Sequence, residues 1–453
     1  MPLDFHKKLA DPVHGTIGLT KLEVKLLETP ALQRLRNVKQ LGLAHYVYPG
    51  ADFSRLSHSI GVCHIAGQKM VALRQAGANF NDDDEQVCRA AALMHDIGHF
   101  PFSHAMEDAV KNYYTARLAV QATAPQESGE QSSNSGFYSH EEIGQFVVRR
   151  DKRIGEILIE AGLESDKVSR VFSEPGQYRG IVKSELDADR LDFLPRTSLH
   201  TGLPYGSIDL PYLLSNLVNE PDKCPCLSEK AVRAAEHFLL CRLFDRQQVA
   251  YHKSVAGFEL VLKEAIAILL QLEKLDCSAK AVDELIESGD WAYFDDATVS
   301  SKVLEVHKET GDDFTKDVMS ALVERKSPKL VFSYDDIAED ETKFNLFKRL
   351  VDSDRAKWAK QVGVDAQRLL VWSQKPKPIT KGAPANPEDP EESVWVRRRN
   401  GNVTRLVDVR GSIVNALNKA KLCSIRVYFL SSNSAQVARL KEIIDRDTED
   451  CRR

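Results

Sequence analysis

The sequence predicts a mainly α-helical protein with a small α/β piece at its C-terminus. Three observations lead there. Apolar residues recur at three- and four-residue spacing through ALQRLRNVKQL, ADRLDFL, AVRAAEHFLLCRLFDRQQVAYHKSV and GFELVLKEAIAILLQLEKL, the period of a helix with one buried face. Strand-like runs are few. A segment with five prolines and mixed charge, QKPKPITKGAPANPEDPEE, sets the helical body apart from an ending that carries the apolar run LCSIRVYFL,.

Taken in order, HYVYPG near residue 48 reads as a short strand, and the helical patterns follow it. Gln121 to Ser135, QATAPQESGEQSSNS, lacks large apolar groups after its first residues. Such a stretch cannot bury enough surface to offset its ordering entropy, so it reads as a mobile insertion over about 119–137. SVWVRRRNGNVTRLV surrounds Asn400-Gly401, a hairpin turn signal,. The expected division is a core over 1–260, a helical extension over 261–373, a linker over 374–392 and a small α/β subdomain over 393–453.

Composition narrows the function. The 453 residues are 28% charged and 43% hydrophobic with a formal net charge of −5, which argues against a dedicated nucleic-acid binder. The basic run Arg397-Arg398-Arg399 is the one local feature that keeps nucleic acid open as a partner. No window approaches the roughly 18 apolar residues of a membrane span, and the first residues lack an apolar signal core. The eight cysteines are scattered, and Cys224 and Cys226 stand too close for a zinc ribbon,. A reduced, cytoplasmic protein is the expectation.

Ionisable groups concentrate in SRLSHSIGVCHIAG, AALMHDIGHFPFSH, YSHEEIG and KSELDADRLDFLPRTSLHTG. In the second, Pro101 disfavours helix at Phe100, so a helix ending near His99 would place His95 and His99 on one face. A vicinal His95-Asp96 offers a borderline nitrogen and a hard oxygen, suited to Fe, Mn, Zn, Co or Ni. His58 and Asp189 are the candidates to complete such a set. On spacing alone the cluster fits a polar helix end equally well, and DADRLD reads more simply as solvated ion pairs.

The order His58, His95-Asp96, Asp189 resembles the H…HD…D ligand set of the HD-domain phosphohydrolases. The blocks ADPVHGTIGL, TPALQRLRNVKQLGLAHYVYPGADFSRLSHSIGV, ALMHDIGHFPFSH, YSHEEIG, LDADRLDFLPR and YHKSV are similar to the deoxynucleotide triphosphohydrolase branch. With no room for a sterile-alpha-motif domain before Asp11, the chain resembles the stand-alone members. The resemblance implies an HD-domain helical core and metal-dependent hydrolysis of deoxynucleoside triphosphates to deoxynucleoside and tripolyphosphate. It makes His58, His95, Asp96 and Asp189 the ligands of a divalent transition metal, with Mg on the substrate phosphates. His99, His104 and His140 match active-site histidines, His104 as the proton donor and Glu107 as its orienter. Arg55, Arg190, Arg242 and Lys253 would meet the triphosphate, and Gln40 and Leu41 the deoxyribose. Phe193 and Thr197 stand where close relatives have a tyrosine and an aspartate, which would relax sugar recognition. Glu28, Gln33 and Arg36 fall where activated members recognise a guanine, with Glu28 replacing an aspartate. Nucleotide activation and a homo-oligomer, dimer or tetramer, are implied with them. Two alternatives stay open: another HD-type nucleotidase or pyrophosphatase, and a nucleotide-sensing or nucleic-acid-binding regulator.

Overall fold

The computed structural model describes residues 3–122, 136–173, 177–220, 223–378, 393–431 and 433–452. The chain opens with a hairpin, β1 (Lys7–Asp11) and β2 (Gly15–Leu19), paired antiparallel. Two short helices follow, α1 (Lys21–Leu27) and α2 (Pro30–Gln33). The body is then helical: α3 (Arg55–Gln75), α4 (Asp82–Met94), α5 (His104–Ala122), α6 (His140–Arg150), α7 (Lys152–Glu160), α8 (Ser165–Ser173), α9 (Gln177–Val182), α10 (Ala188–Thr201) and α11 (Leu210–Ser215). The short strands β3 (Leu217–Val218) and β4 (Cys226–Ser228) lead into α12 (Val232–Asp245), α13 (Lys253–Gln271), α14 (Ala279–Ser288), α15 (Asp296–Glu309) and α16 (Asp313–Val323). The last part is mixed: β5 (Lys329–Ala338), α17 (Thr342–Gln361), β6 (Leu369–Pro378), β7 (Trp395–Arg397), β8 (Val403–Arg405), α18 (Ile413–Ala416), β9 (Lys421–Phe429) and α19 (Ser434–Arg452). The mainly α class therefore holds. No described helix is long and apolar enough to cross a membrane.

The expected LCSIRVYFL strand is β9, the centre of a three-stranded antiparallel sheet ordered β5-β9-β6. Its period-two alternation serves two cores. Cys423, Ile425, Val427 and Phe429 pack with Phe344, Phe347 and Trp358 of α17 and Ile444 of α19. Leu422, Tyr428 and Leu430 join the main helical core instead. Tyr428 donates to the Lys253 carbonyl at 2.6 Å, and a Cβ on Gly257 would stand 3.0 Å from the Tyr428 ring. Both faces of β9 are buried, and the polar residues on the second, Ser424 and Arg426, pair with the Asp335 carboxylate.

This pairing crosses the boundaries expected at 374 and 393. The sheet takes two of its three strands from residues 329–378, and the β7-β8 hairpin extends the β3-β4 pair of the body. Residues 374–378 belong to β6, and the rest of the expected linker lies outside the described residues. The expected insertion overlaps the end of α5, and its 123–135 part also lies outside them. HYVYPG is not a strand. Gly42–Tyr46 forms a 3-10 turn, and Tyr46 and Tyr48 send their hydroxyls to distant carbonyls, Leu322 and Gln248.

A candidate metal and phosphate site in the helical body

Two helices laid side by side begin the site. Ser54 caps α3 by accepting the Ser57 N–H, and Asp187 caps α10 by accepting the Arg190 N–H at 2.7 Å,. His58 lies one turn into α3, fully buried, and Asp189 lies in the first turn of α10. Their Nε2 and Oδ1 atoms are 3.1 Å apart. His58 Nδ1 lies 2.7 Å from Asp192 Oδ2, and Asp192 Oδ1 lies 2.6 Å from His14 Nε2. Arg196 donates twice to Asp192 at 2.8 Å and also to Asp11. Asp192 comes this close because the facing residue of α3 is Gly61, where a Cβ would stand 1.8 Å from Oδ1. The DADRLD acids are therefore not solvated ion pairs: Asp187 and Asp192 are completely buried.

The third element departs from expectation. Helix α4 ends at Met94, with His95 as its C-cap, and not near His99. The Ile97 and His99 N–H groups return to Met94 and Asp96 in tight turns. Distant donors take the carbonyls a longer helix would need: Arg34 bonds the Ile97 and His99 carbonyls, and Trp291 Nε1 bonds Ile97,. Gly98 lets α6 press on this turn, for a Cβ there would meet the His140 carbonyl oxygen at 2.1 Å. His95 and His99 thus go to different clusters.

His95 donates Nδ1–H to the Ala92 carbonyl at 2.8 Å, which leaves a buried Nε2 lone pair without a hydrogen bond. Ligand atoms of His58, His95 and Asp189 lie within 4.8 Å of one another. Asp96 joins them, Oδ1 3.3 Å from His95 Nε2 and Oδ2 4.0 Å from His58 Nε2. With Nδ1–H given to Asp192, His58 Nε2 presents a lone pair to a carboxylate, and only a proton or a cation between them relieves that contact. Burial opposes protonation of His58, yet Asp189 and Asp192 outweigh it and lift the imidazole to about 9. Burial likewise opposes the charge of Asp96, but Arg55 at 2.5 Å, with His95 and His99, holds the carboxyl well below its usual range. Two imidazoles and a carboxylate converging on one point, with the Asp96 carboxylate beside them and one imidazole backed by a carboxylate, fit a divalent transition metal,.

The second cluster sits beside the first. His99 Nε2 is 3.2 Å from Asp96 Oδ1, and its ring stacks on His140 at 4.1 Å. The His104 ring meets both edge-on at 5.0 and 5.3 Å. Glu107, one turn into α5, accepts the His140 backbone N–H at 2.9 Å, lies 2.9 Å from its Nδ1, and lies 3.3 Å from His104 Nδ1. Burial would raise the Glu107 carboxyl, but His104 and His140 hold it well below its usual range. Burial and Arg55 push the His99 imidazole well below its own. Nitrogens of the three rings also lie within 4.8 Å of each other. Parallel stacking sets the His99 and His140 rings side by side, so the group suits proton transfer and anion contact better than a second metal.

Both clusters open on a cavity of about 510 Å³, the size of a small-ligand site. Gln40 and Leu41 line it, and the Gln40 Oε1 is buried without a partner. Arg55, Arg190 and Arg242 line it as expected, held by Asp96, Asp187 and Glu185. Phe193 is on the wall, whereas Thr197 is fully buried away from it and Lys253 is exposed at the start of α13. Two cations were missed by sequence reasoning. Lys183 lines the cavity paired with Glu141, and Arg246 lines it with a buried, unpartnered Nη1. Arg246 follows Arg242 by one turn on an apolar helix, a signal that spacing could have supplied. Of the residues matched to the family's activator site, Glu28 is exposed, while Gln33 donates to the Leu27 carbonyl and accepts from Arg36 at 2.9 Å. They do not line the cavity.

The HD domain family model matches residues 55–171. The deoxynucleoside triphosphate triphosphohydrolase SAMHD1 of Homo sapiens is 43% identical over 107 residues, 23% of this chain and 17% of that protein. The uncharacterized protein YwfO of Bacillus subtilis is 28% identical over 276 residues, 60% of this chain and 57% of the relative. The chain spans about half the length of the longest-matching curated relatives. Among solved structures, a phosphohydrolase from Bacteroides thetaiotaomicron shares the fold with a TM-score of 0.68 at 22% identity, over 93% of this chain and 99% of that one. A hypothetical protein from Aquifex aeolicus does so with a TM-score of 0.71 at 22% identity, over 97% and 99%. Residues 55–171 match the HD domain, and over 107 residues the chain is similar to the deoxynucleoside triphosphate triphosphohydrolase SAMHD1.

Proposed function

We propose that this chain hydrolyses deoxynucleoside triphosphates to deoxynucleoside and inorganic tripolyphosphate in a metal-dependent reaction. The observation that carries the reading is one wall of one cavity, where His58, His95, Asp96 and Asp189, with an unshared lone pair on His95 Nε2, adjoin three histidines, two of them tied to Glu107. A divalent transition metal held by those four residues would acidify water and polarise the phosphate under attack. Everything else falls to the chain. Arg190, Arg242, Arg246 and Lys183 balance the triphosphate charge, the arginines with forked donors. His104 gives its proton to the departing 5′ oxygen, and Glu107 orients its ring and stabilises the imidazolium before that transfer. Water oxygen ends on the tripolyphosphate, and the bond from α-phosphorus to the 5′ oxygen breaks. Gln40 Oε1 needs a donor, which a sugar hydroxyl supplies, while Leu41 disfavours a polar group at the adjoining sugar carbon.

A second reading, an HD-type nucleotidase or pyrophosphatase with relaxed sugar choice, draws on Phe193, which puts an apolar ring on the cavity wall, and on Thr197, which lies off it. The regulatory nucleic-acid reading rests on Arg397-Arg398-Arg399, of which Arg397 and Arg398 pair at the surface with Glu220 and Glu229. Nucleotide activation at Glu28, Gln33 and Arg36 and assembly of several copies belong to the first reading. There a guanine must displace the Gln33–Arg36 contact. The deciding experiment incubates metal-loaded protein with each dNTP and NTP, singly and mixed, and separates the products. Tripolyphosphate from dNTPs supports the proposal; orthophosphate or pyrophosphate without it selects the second reading.

A further inference from the structure

The turn that carries His104 is held from outside the HD match. Phe102 and Ser103, just before His104, adopt left-handed backbone with φ of 54° and 60°, a conformation non-glycine residues keep only when their surroundings impose it. The imposing contact is Asp296, nearly two hundred residues on, at the first position of α15 and almost fully buried. Its Oδ1 accepts the Phe102 N–H at 2.8 Å, and its Oδ2 accepts the Lys39 N–H at 3.0 Å. The two amides belong to two segments that line the cavity: one lies just before His104, the other just before Gln40 and Leu41. The join continues inward. Ser103 donates to the Lys39 carbonyl at 3.2 Å and accepts from Arg55 at 2.9 Å, and Arg55 reaches Asp96. Around it, Arg34 bridges the Phe294 and His99 carbonyls, and Trp291 holds Ile97.

A plain helix-terminus role does not account for Asp296. The N-cap is Asp295, which accepts the Ala297 and Thr298 N–H groups. Both Asp296 oxygens leave their own helix for other segments. Resting on the reading above, we propose that Asp296 is a positioning residue that sets the distance between the proton-transfer histidine His104 and the sugar-facing Gln40-Leu41 edge. The extension that follows the HD match then takes part in the site by holding two loops in register. A carboxylate is the one short side chain offering two acceptors and no donor, which is what two converging amides need.

Asp296→Asn keeps size and one acceptor but turns an NH₂ toward the other amide. In the metal-loaded full chain it should lower kcat by about tenfold to a hundredfold, the cost of roughly an ångström of misplacement, with metal content unchanged. In a His104→Ala background the same substitution should change the residual kcat less than about twofold. Hydrogen exchange should rise across residues 99–104 and 38–41 and stay level in α13. The inference is overturned if exchange in those segments is unchanged, or if Asp296→Asn slows the enzyme equally with and without His104. Full activity of His104→Ala would refute the general-acid reading instead. Exchange then decides the inference by itself, and unchanged protection across 99–104 and 38–41 overturns it.

Discussion

Gly61→Ala tests whether the buried support behind His58 is needed. The added Cβ would stand 1.8 Å from Asp192 Oδ1 and 2.6 Å from Arg196 Nη2. Ordinary contact begins at 3.4 Å, so Asp192 must retreat by the difference, 1.6 Å. Its bonds to His58 and His14, now 2.7 and 2.6 Å, do not survive that movement. The substitution also gains helix propensity of about 1 kcal/mol. Each charge-assisted bond lost from a buried carboxylate costs about 1.5–3 kcal/mol, so losing two outweighs the gain and leaves a net loss of roughly 2–5 kcal/mol. Removing the carboxylate partner of a ligating histidine typically costs about tenfold to a hundredfold in metal affinity. The assay is metal retention against a graded chelator, with thermal unfolding alongside. Gly155→Ala is the control: its Cβ meets nothing within 4 Å in α7, so it should stabilise by about 0.5–1 kcal/mol and leave metal affinity unchanged. Parental affinity and unfolding temperature in Gly61→Ala would refute the claim that Asp192 positions His58.

Three further predictions probe the cavity. His104→Ala should keep its metal and slow tripolyphosphate release by at least about 10²-fold; an undiminished rate removes His104 as the acid. Arg246→Met should raise KM about tenfold or more with little change in kcat, since it deletes a cation facing a triphosphate; an unchanged KM places the phosphates elsewhere. Burial lifts the Asp245 carboxyl to about 6 even though Tyr205 donates to it at 2.6 Å. Its folded pKa thus exceeds the ordinary 3.8. The native state keeps a proton that the unfolded chain releases between about pH 4 and 6, so stability falls as pH rises through that window and stays lower above it. Asp245→Asn should therefore be more stable than the parent at about pH 8, by at most about 3 kcal/mol, and equal to it near pH 3.5. Denaturant unfolding at both pH values measures this, and a pH-independent difference contradicts it.

Much of the site was legible because its chemistry is carried by residue type and order. His58, His95, Asp96 and Asp189 could be picked out before their geometry was known; ligand atoms of His58, His95 and Asp189 lie within 4.8 Å of one another, and Asp96 lies 3.3 Å from His95. The end of α4 was not legible, because Pro101 is a local signal while the capture of carbonyls by Arg34 and Trp291 is not. The acids of DADRLD read as solvated ion pairs since helical charge alternation does not report burial; Gly61 and His14, which meet Asp192, lie far away in sequence. Strands β5 and β6 escaped notice for a related reason. KLVFSYDDIA carries two adjacent acids and LLVWSQKPKP ends in lysines and prolines, and only pairing with β9 makes them a sheet. Asp296 carried no motif at all, and its role is defined by two amides it meets through folding.

Hydrolysis of a dNTP by the metal-loaded chain in heavy-oxygen water tests the central claim most directly, with mass spectrometry of both products. Attack at the α-phosphorus predicts one heavy oxygen on tripolyphosphate and none on the deoxynucleoside, with turnover lost in both His95→Ala and Asp96→Ala. Heavy oxygen on orthophosphate or pyrophosphate, or turnover that survives loss of His95 and Asp96, would contradict it.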